Sequence, residues 1–310
     1  MNKSKEELLR DTAVALASGL AIEASVHKPG TASPLKSAKE LYHQGFIITS
    51  IALSHKLYEF LDQVYGGGGC ADLGEVIRDL YHTGERLHEM GNLHLGFVIL
   101  ITPIAAGIAS IYRSEIDLLK HSTDHISLVT DRSYEYLLKC GYRSKSTHIL
   151  EVIKRIYSDK IPVHSGPTPD VYSLDIENRS FWDLVLHGRR VDLILLELYE
   201  KYRRVRRYAR ILLETSERDL YSRILVVFLD SLREYIDTHI ARTKNILRGA
   251  IIRDVVRYCL SRKDLLSEKC LEELDSYLRE ENINPGSTAD IIATAISLRN
   301  LVRYVIAKLF

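Results

Sequence analysis

The sequence predicts an all-α fold, a single compact multi-helix domain of roughly ten or more helices packed around one buried apolar helix. Three observations carry this. Apolar residues recur at helical spacing along almost the whole chain, and no alternating run of strand length occurs. Proline and glycine clusters cut that pattern into segments of helix length. Residues 96–112, GFVILITPIAAGIASIY, carry no charge; they are slightly short for a membrane span and have Pro103 at their centre, which fits a helix inside the protein.

In chain order, residues 6–27 read as a first helix, with Leu9, Ala13, Leu16, Leu20 and Ala24 along one stripe. The loop H-K-P-G-T-A-S-P ends it, because Pro29 and Pro34 cannot continue a helical hydrogen-bond ladder. Residues 37–65 form a long second helix that stops at a run of glycines. Residues 72–90 form a third, and Gly91-Asn92 separates it from the apolar helix. Helical pattern continues over 116–140 and 146–158. Residues 159–180 hold three prolines and read as an irregular connection or lid. Residues 181–215 are helical with a break near Gly188. Segments 219–247, 250–261, 267–281 and 288–309 complete the chain.

At 310 residues, with 46% hydrophobic and 27% charged residues, the chain is long enough for one large domain or two small ones. Its net charge of +1 provides no general field for nucleic acid or an anionic membrane. The four cysteines are dispersed and form no C-x-x-C, so neither a zinc knot nor a disulfide framework is signalled. The charged start, MNKSKEELLRDT, lacks an apolar signal core, and a cytoplasmic protein is expected. Scarce glutamine, at Gln44 and Gln63, beside plentiful Arg, Glu, Ile and Leu suits a heat-adapted protein.

Two loops look alike. H-K-P-G-T-A-S-P follows the first helix, and N-P-G-S-T-A-D opens the last, where Ser287 or Thr288 can cap. A helix N-terminus preceded by Gly offers backbone N–H groups to phosphate, although an ordinary loop and cap explains the same residues. The element G-N-L-H-L-G places Asn92 and His94 at the entrance of the most apolar helix, where polar groups must be paired or used. Glu85, Glu89 and Asn92 share a helix face, which is either solvated or metal-directed. Asp192 and Glu197 are five apart, about 140° around a helix, and are not expected to share an ion. The run YRRVRRYAR, residues 202–210, is either a solvated face paired with Glu or an anion-binding surface. D-T-H-I-A-R gathers Asp237, Thr238, His239 and Arg242 within little more than one turn.

The order of these elements resembles the triphosphoribosyl-dephospho-CoA synthase family, more closely its archaeal branch. E-x-x-x-H-K-P-G comes first, G-N-x-H-x-G opens an apolar helix, D-T-H-I-x-R follows, and P-G-S-T-A-D opens the final helix. The resemblance spans nearly the whole chain, with Leu93 standing where the family has Thr. It implies an all-helical transferase that takes ATP and 3′-dephospho-CoA, displaces adenine and joins the triphosphoribosyl group to the acceptor ribose. Carried over residue by residue, it implies catalytic roles for Glu23, His94 and Asp237. Phosphate and substrate contacts fall on Lys28, Gly30, Thr31, Asn92, Arg242, Gly286, Ser287 and Thr288. Mg²⁺ would be held by Asp290, Asp237 and Glu23. The expected partners are therefore ATP and a CoA-like acceptor, with no nucleic acid and no membrane; a homodimer is compatible with the apolar composition. The rival readings are an archaeal paralogue that binds ATP or another nucleotide and acts on a different phosphorylated acceptor, a non-catalytic nucleotide-binding protein, and a helical scaffold or RNA-binding protein using the 202–210 run.

Overall fold

A computed structural model describes residues 4–38, 41–67, 69–88, 90–157, 179–262 and 265–310, the first three of the last segment by backbone only. These residues form fifteen α-helices and no strand. They are α1 Lys5–Ala24, α2 His43–Gly66, α3 Leu73–Glu85, α4 Leu95–Ser114, α5 Ile116–His121, α6 His125–Gly141, α7 Thr147–Tyr157, α8 Phe181–Gly188, α9 Leu193–Tyr199, α10 Arg203–Leu213, α11 Leu220–Glu234, α12 Thr238–Thr243, α13 Ile246–Ser261, α14 Leu265–Glu280 and α15 Gly286–Asn300. A π-helical turn, Leu301–Val305, extends α15.

Two helices form the centre. In α4 every residue from Leu95 to Ala109 is buried, and it is the described helix long and apolar enough to cross a membrane, with 94% of its apolar window inside the protein. In α15 every residue from Ile291 to Asn300 is buried. An all-round apolar surface can be satisfied only by surrounding helices, and α1, α2, α3, α6, α9 and α10 supply them. Close approach sets the α1–α15 crossing: a Cβ on Gly19 would lie 2.2 Å from the Ala293 carbonyl oxygen. Overfilling so tight a crossing is costly.

Several boundaries differ from the periodicity. The second helix begins at His43 rather than at residue 37, because Ala38 and Leu41 exchange backbone hydrogen bonds as an isolated antiparallel pair. The stretch 116–140 is two helices, since the Asp124 carboxylate caps a fresh start by accepting from Ser127 N. The stretch 181–215 is three helices; Lys201 and Tyr202 take left-handed conformations, φ 56° and 61°, which stop α9. Residues 158–178, most of the anticipated irregular connection, and Glu89 lie outside the described residues.

The cysteines correct a second expectation. Cys70 pairs with Cys140 and Cys259 with Cys270, at Cα–Cα distances of 5.2 and 5.5 Å. Partners 70 residues apart in sequence are joined only by tertiary packing, so spacing could not signal them. The basic run resolves as a paired face. Arg204 meets Glu197 and Glu200, Arg206 meets Asp131, Arg207 meets Asp230 and Glu234, and Arg210 meets Asp124.

Candidate active site

Parts of eight helices meet at one cavity of about 80 Å³: the C-terminal half of α1, the start of α4, α12 and the start of α15, with α2, α7, α8 and α9 around them. Its walls are of two kinds. Leu20, Phe46, Ile99, Ile149, Ile153, Leu184 and Leu195 make an apolar side. Glu23, Asn92, Tyr157, Asp192, His239, Arg242, Asn284, Ser287 and Asp290 make a polar one. An apolar enclosure with a few convergent polar groups is the usual build of a ligand site.

Three carboxylates face this space in different surroundings. Glu23, in the last turn of α1, is 3.1 Å from the Lys28 ammonium. Asp192 caps α9, accepting from Ile194 N and Leu195 N, and its second oxygen takes Arg242 Nη2 at 2.5 Å. Asp290 has no cationic partner among the described residues. It lies against the first turn of α4, where a Cβ on Gly96 would sit 2.3 Å from its Oδ2, so only glycine leaves room for it. Burial pushes the Asp290 carboxyl well above the ordinary range; the Glu23 charge adds to this, while the Phe97 N–H pulls the other way. Burial also raises Glu23, and there Lys28 opposes the rise.

The opposite wall is a cluster of Tyr157, His239 and Arg242. The Tyr157 hydroxyl is 3.3 Å from His239 Nδ1, and the Arg242 guanidinium lies 5.3 Å from the Tyr157 ring centroid. His239 Nδ1 and Arg242 thus reach the cavity together from α12, the His ring packed over Gly286. Burial first, and then the nearby Arg242 charge, lowers the His239 imidazole to about 4, so it is neutral at pH 7. Asn92 uses its side-chain oxygen to accept from His94 N and Leu95 N, which fixes the start of α4.

Of the residues to which the resemblance assigns a role, Glu23, Asn92, Arg242, Gly286, Ser287 and Asp290 line the cavity. The other residues so assigned do not. Lys28 is fully buried behind Glu23. Gly30 N donates to Asp275 Oδ1 at 2.9 Å, and the Thr31 carbonyl takes Arg279, so the first loop is clamped by α14 instead of being open to phosphate. His94 turns away under α3, stacked on Tyr81 at 5.2 Å; burial lowers it to about 3, which removes it as a proton donor. Gly84, whose Cβ would meet the His94 ring at 2.7 Å, makes that space.

Asp237 is a cap shared by two helices. One oxygen accepts from Ile240 N of α12 at 3.1 Å, the other from Thr288 N of α15 at 2.7 Å. The N-terminus expected to attract phosphate therefore already holds a carboxylate, and Thr288 is buried with it. Ser287 does not cap its own helix; its hydroxyl bonds Thr238 Oγ1 and accepts from His239 N, both at 3.1 Å. The expected magnesium trio of Asp290, Asp237 and Glu23 forms no ligand cluster among the described residues. With Asp237 committed to backbone N–H groups and Glu23 to Lys28, the donor set does not fit a protein-held Mg²⁺.

Tyr157 and Asn284 were not singled out from the sequence, and Asp192 only as an unlikely ion partner of Glu197. Tyr157 ends an ordinary amphipathic helix, and nothing local marks it. Asp192 did carry a signal, an acid just ahead of an apolar run, which is an N-cap pattern.

The sequence profile of the ATP:dephospho-CoA triphosphoribosyl transferase family matches residues 9–308. Among solved structures, that of a candidate triphosphoribosyl-dephospho-CoA synthase from Archaeoglobus fulgidus superposes with a TM-score of 0.56 and 15% identity. The match covers 79% of this chain and 95% of that one, and at such identity the likeness is one of fold. No curated protein sequence matches significantly.

Proposed function

The chain belongs to the ATP:dephospho-CoA triphosphoribosyl transferase family, and from that premise we propose that the cavity between α1, α4, α12 and α15 is where its reaction occurs. The enzyme is a transferase that moves the triphosphoribosyl group of ATP to dephospho-CoA with release of adenine. One observation supports this location: Glu23, Asn92, Gly96, Arg242, Ser287 and Asp290, drawn from four separated motif segments, line the same space.

The reaction breaks the bond from the ribose anomeric carbon to adenine and forms a new one from that carbon to an acceptor ribose hydroxyl. The electron pair of the broken bond leaves with adenine, which needs a proton; the acceptor hydroxyl must lose one. Two carboxyl groups in unlike environments suit such a division of labour. Asp290, whose carboxyl desolvation and the Glu23 charge push well above the ordinary range, is the proton donor to adenine. Glu23, paired with Lys28, faces the positive charge that develops at the anomeric carbon and receives the hydroxyl proton. Arg242, fixed by Asp192 and Tyr157, is the cation available to a phosphate on the cavity wall. Mg²⁺ enters this reading only with the ATP phosphates, as part of the substrate. We place the enzyme in the cytoplasm. Paired cysteines are compatible with that in heat-adapted organisms, whose intracellular proteins are often disulfide-rich.

The test is a mass-resolved assay of the purified protein with Mg-ATP and 3′-dephospho-CoA at elevated temperature. Free adenine and an enlarged CoA product should appear in equal amounts. Asp290→Asn should lower kcat at least about 100-fold while the protein stays folded. Intact ATP with folded wild-type protein would overturn the proposal. So would full turnover by Asp290→Asn.

A further inference from the structure

The Lys28 side chain is fully buried, and its charge is met by groups of the protein itself. The sequence Lys28-Pro29-Gly30-Thr31 is a β-turn, closed by Thr31 N donating to the Lys28 carbonyl at 3.2 Å. Proline at the second position and a glycine with φ 74° at the third are the residues a type II turn requires. A Cβ on Gly30 would lie 2.9 Å from the Ile283 carbonyl oxygen, so only glycine fits the turn at this position.

This turn directs the Lys28 side chain back over the C-terminus of α1. Its ammonium donates to the Glu23 carbonyl at 2.6 Å and the Val26 carbonyl at 2.7 Å, and sits 3.1 Å from Glu23 Oε1. Two of the ammonium's three donors go to these carbonyls, and its charge forms an ion pair with Glu23 Oε1. Carbonyls at a helix C-terminus lack intrahelical partners, and a cation there is favoured by the helix dipole. Phe228 of α11 closes the remaining side, its ring centroid 5.7 Å from Nζ.

We propose that Lys28 is a positioning residue: it meets no substrate, but holds the Glu23 carboxylate at the cavity wall by bonding that residue's backbone and side chain together. The proposal rests on the placement of the reaction in this cavity. It assigns the K-P-G element to building one side chain's position rather than to binding phosphate. Met in place of Lys28 keeps the length and removes the charge, leaving Glu23 buried without a partner.

The experiment compares wild type, Lys28→Met, Glu23→Gln and the double variant, each as full-length folded protein. It measures kcat and KM for both substrates, and Mg-ATP affinity by calorimetry. Lys28→Met should lower kcat at least about tenfold and change the KM for ATP less than about threefold, the signature of a lost transition-state contact. The double variant should be no slower than Glu23→Gln, because both changes remove the same function. It also leaves no unpaired buried charge, so it serves if Lys28→Met alone fails to fold: turnover well below that of Glu23→Gln would then overturn the proposal. Loss of ATP affinity in Lys28→Met but not in Glu23→Gln would overturn it as well, by showing a direct phosphate contact. Undiminished kcat in Lys28→Met would reduce the residue to a helix cap. An inactive wild type would refute the location of the reaction instead, and the calorimetric comparison would still decide whether Lys28 touches nucleotide.

Discussion

Single residues in this protein show how burial converts ordinary side chains into specific chemical tools. His239 and His94 are both imidazoles that burial keeps neutral, yet only His239 opens on the cavity. The unfolded chain binds a proton at His239 near pH 6.5, and the folded chain only near 4. The unfolded state therefore holds more protons between those values, and stability must fall as pH drops through that window. His239→Asn should remove up to about 3 kcal/mol of this pH dependence, read from urea midpoints at pH 7 and pH 4.5. An unchanged dependence would mean the imidazole is solvated. Asp290 has the opposite sign. Its raised carboxyl favours folding while protonated, and that contribution is lost as pH rises above the unfolded value of 3.8. The gain or loss at these positions was invisible in the sequence, because neither neighbour in the chain causes it. The Glu23 charge acts on Asp290 although 267 positions separate them.

At the scale of helices, caps decide the geometry. Asp237 joins the starts of α12 and α15, and so sets where His239, Arg242, Ser287 and Asp290 stand relative to one another. Asp237→Ala should cost about 1–2 kcal/mol for each lost cap and lower turnover with it. Asp237→Asn keeps one accepting oxygen and turns its NH2 group towards the other N–H, so it should restore at most one of the two caps and remain less stable than wild type by urea denaturation. Wild-type stability in that variant would show that the Thr288 or the Ile240 contact contributes nothing. The D-T-H-I-A-R element was recognisable as a cluster from its spacing alone. Its division into a cap, a cavity wall and an ion-paired Arg was not, since the partner of the cap is Thr288, 51 residues on. Lys28 teaches the same lesson. A Lys beside Pro-Gly suggests a phosphate loop, but the type II turn aims it inward, onto the end of its own helix.

Across the whole molecule, the covalent crosslinks and the cavity occupy different regions. The Cys70–Cys140 link ties the approach to α3 to the end of α6, and Cys259–Cys270 ties α13 to α14. None of these cysteines lines the cavity. In the chain-entropy account, crosslinks 70 and 11 residues apart contribute at most about 4 and 3 kcal/mol. Replacing each pair with alanine should lower the midpoint of thermal unfolding, more for the first pair, and leave kcat below that midpoint near wild type. A loss of turnover without a loss of stability would connect the crosslink to the site.

The sequence by itself determined the class of fold and most of its helices, because helical periodicity and the breaks imposed by Pro and Gly are local properties of the chain. It determined that α4 lies inside, since a chargeless helix of that length interrupted by proline needs protein around it. Through the order of its motifs it also pointed to the family. The tertiary structure alone decided which motif residues reach the cavity and which support it from behind. Those roles depend on contacts between segments far apart in sequence, such as Asp237 with Thr288, Gly30 with Asp275 and Gly96 with Asp290. Burial created by such contacts is what moves a carboxyl or an imidazole away from its ordinary protonation, and no spacing rule along a single chain encodes it.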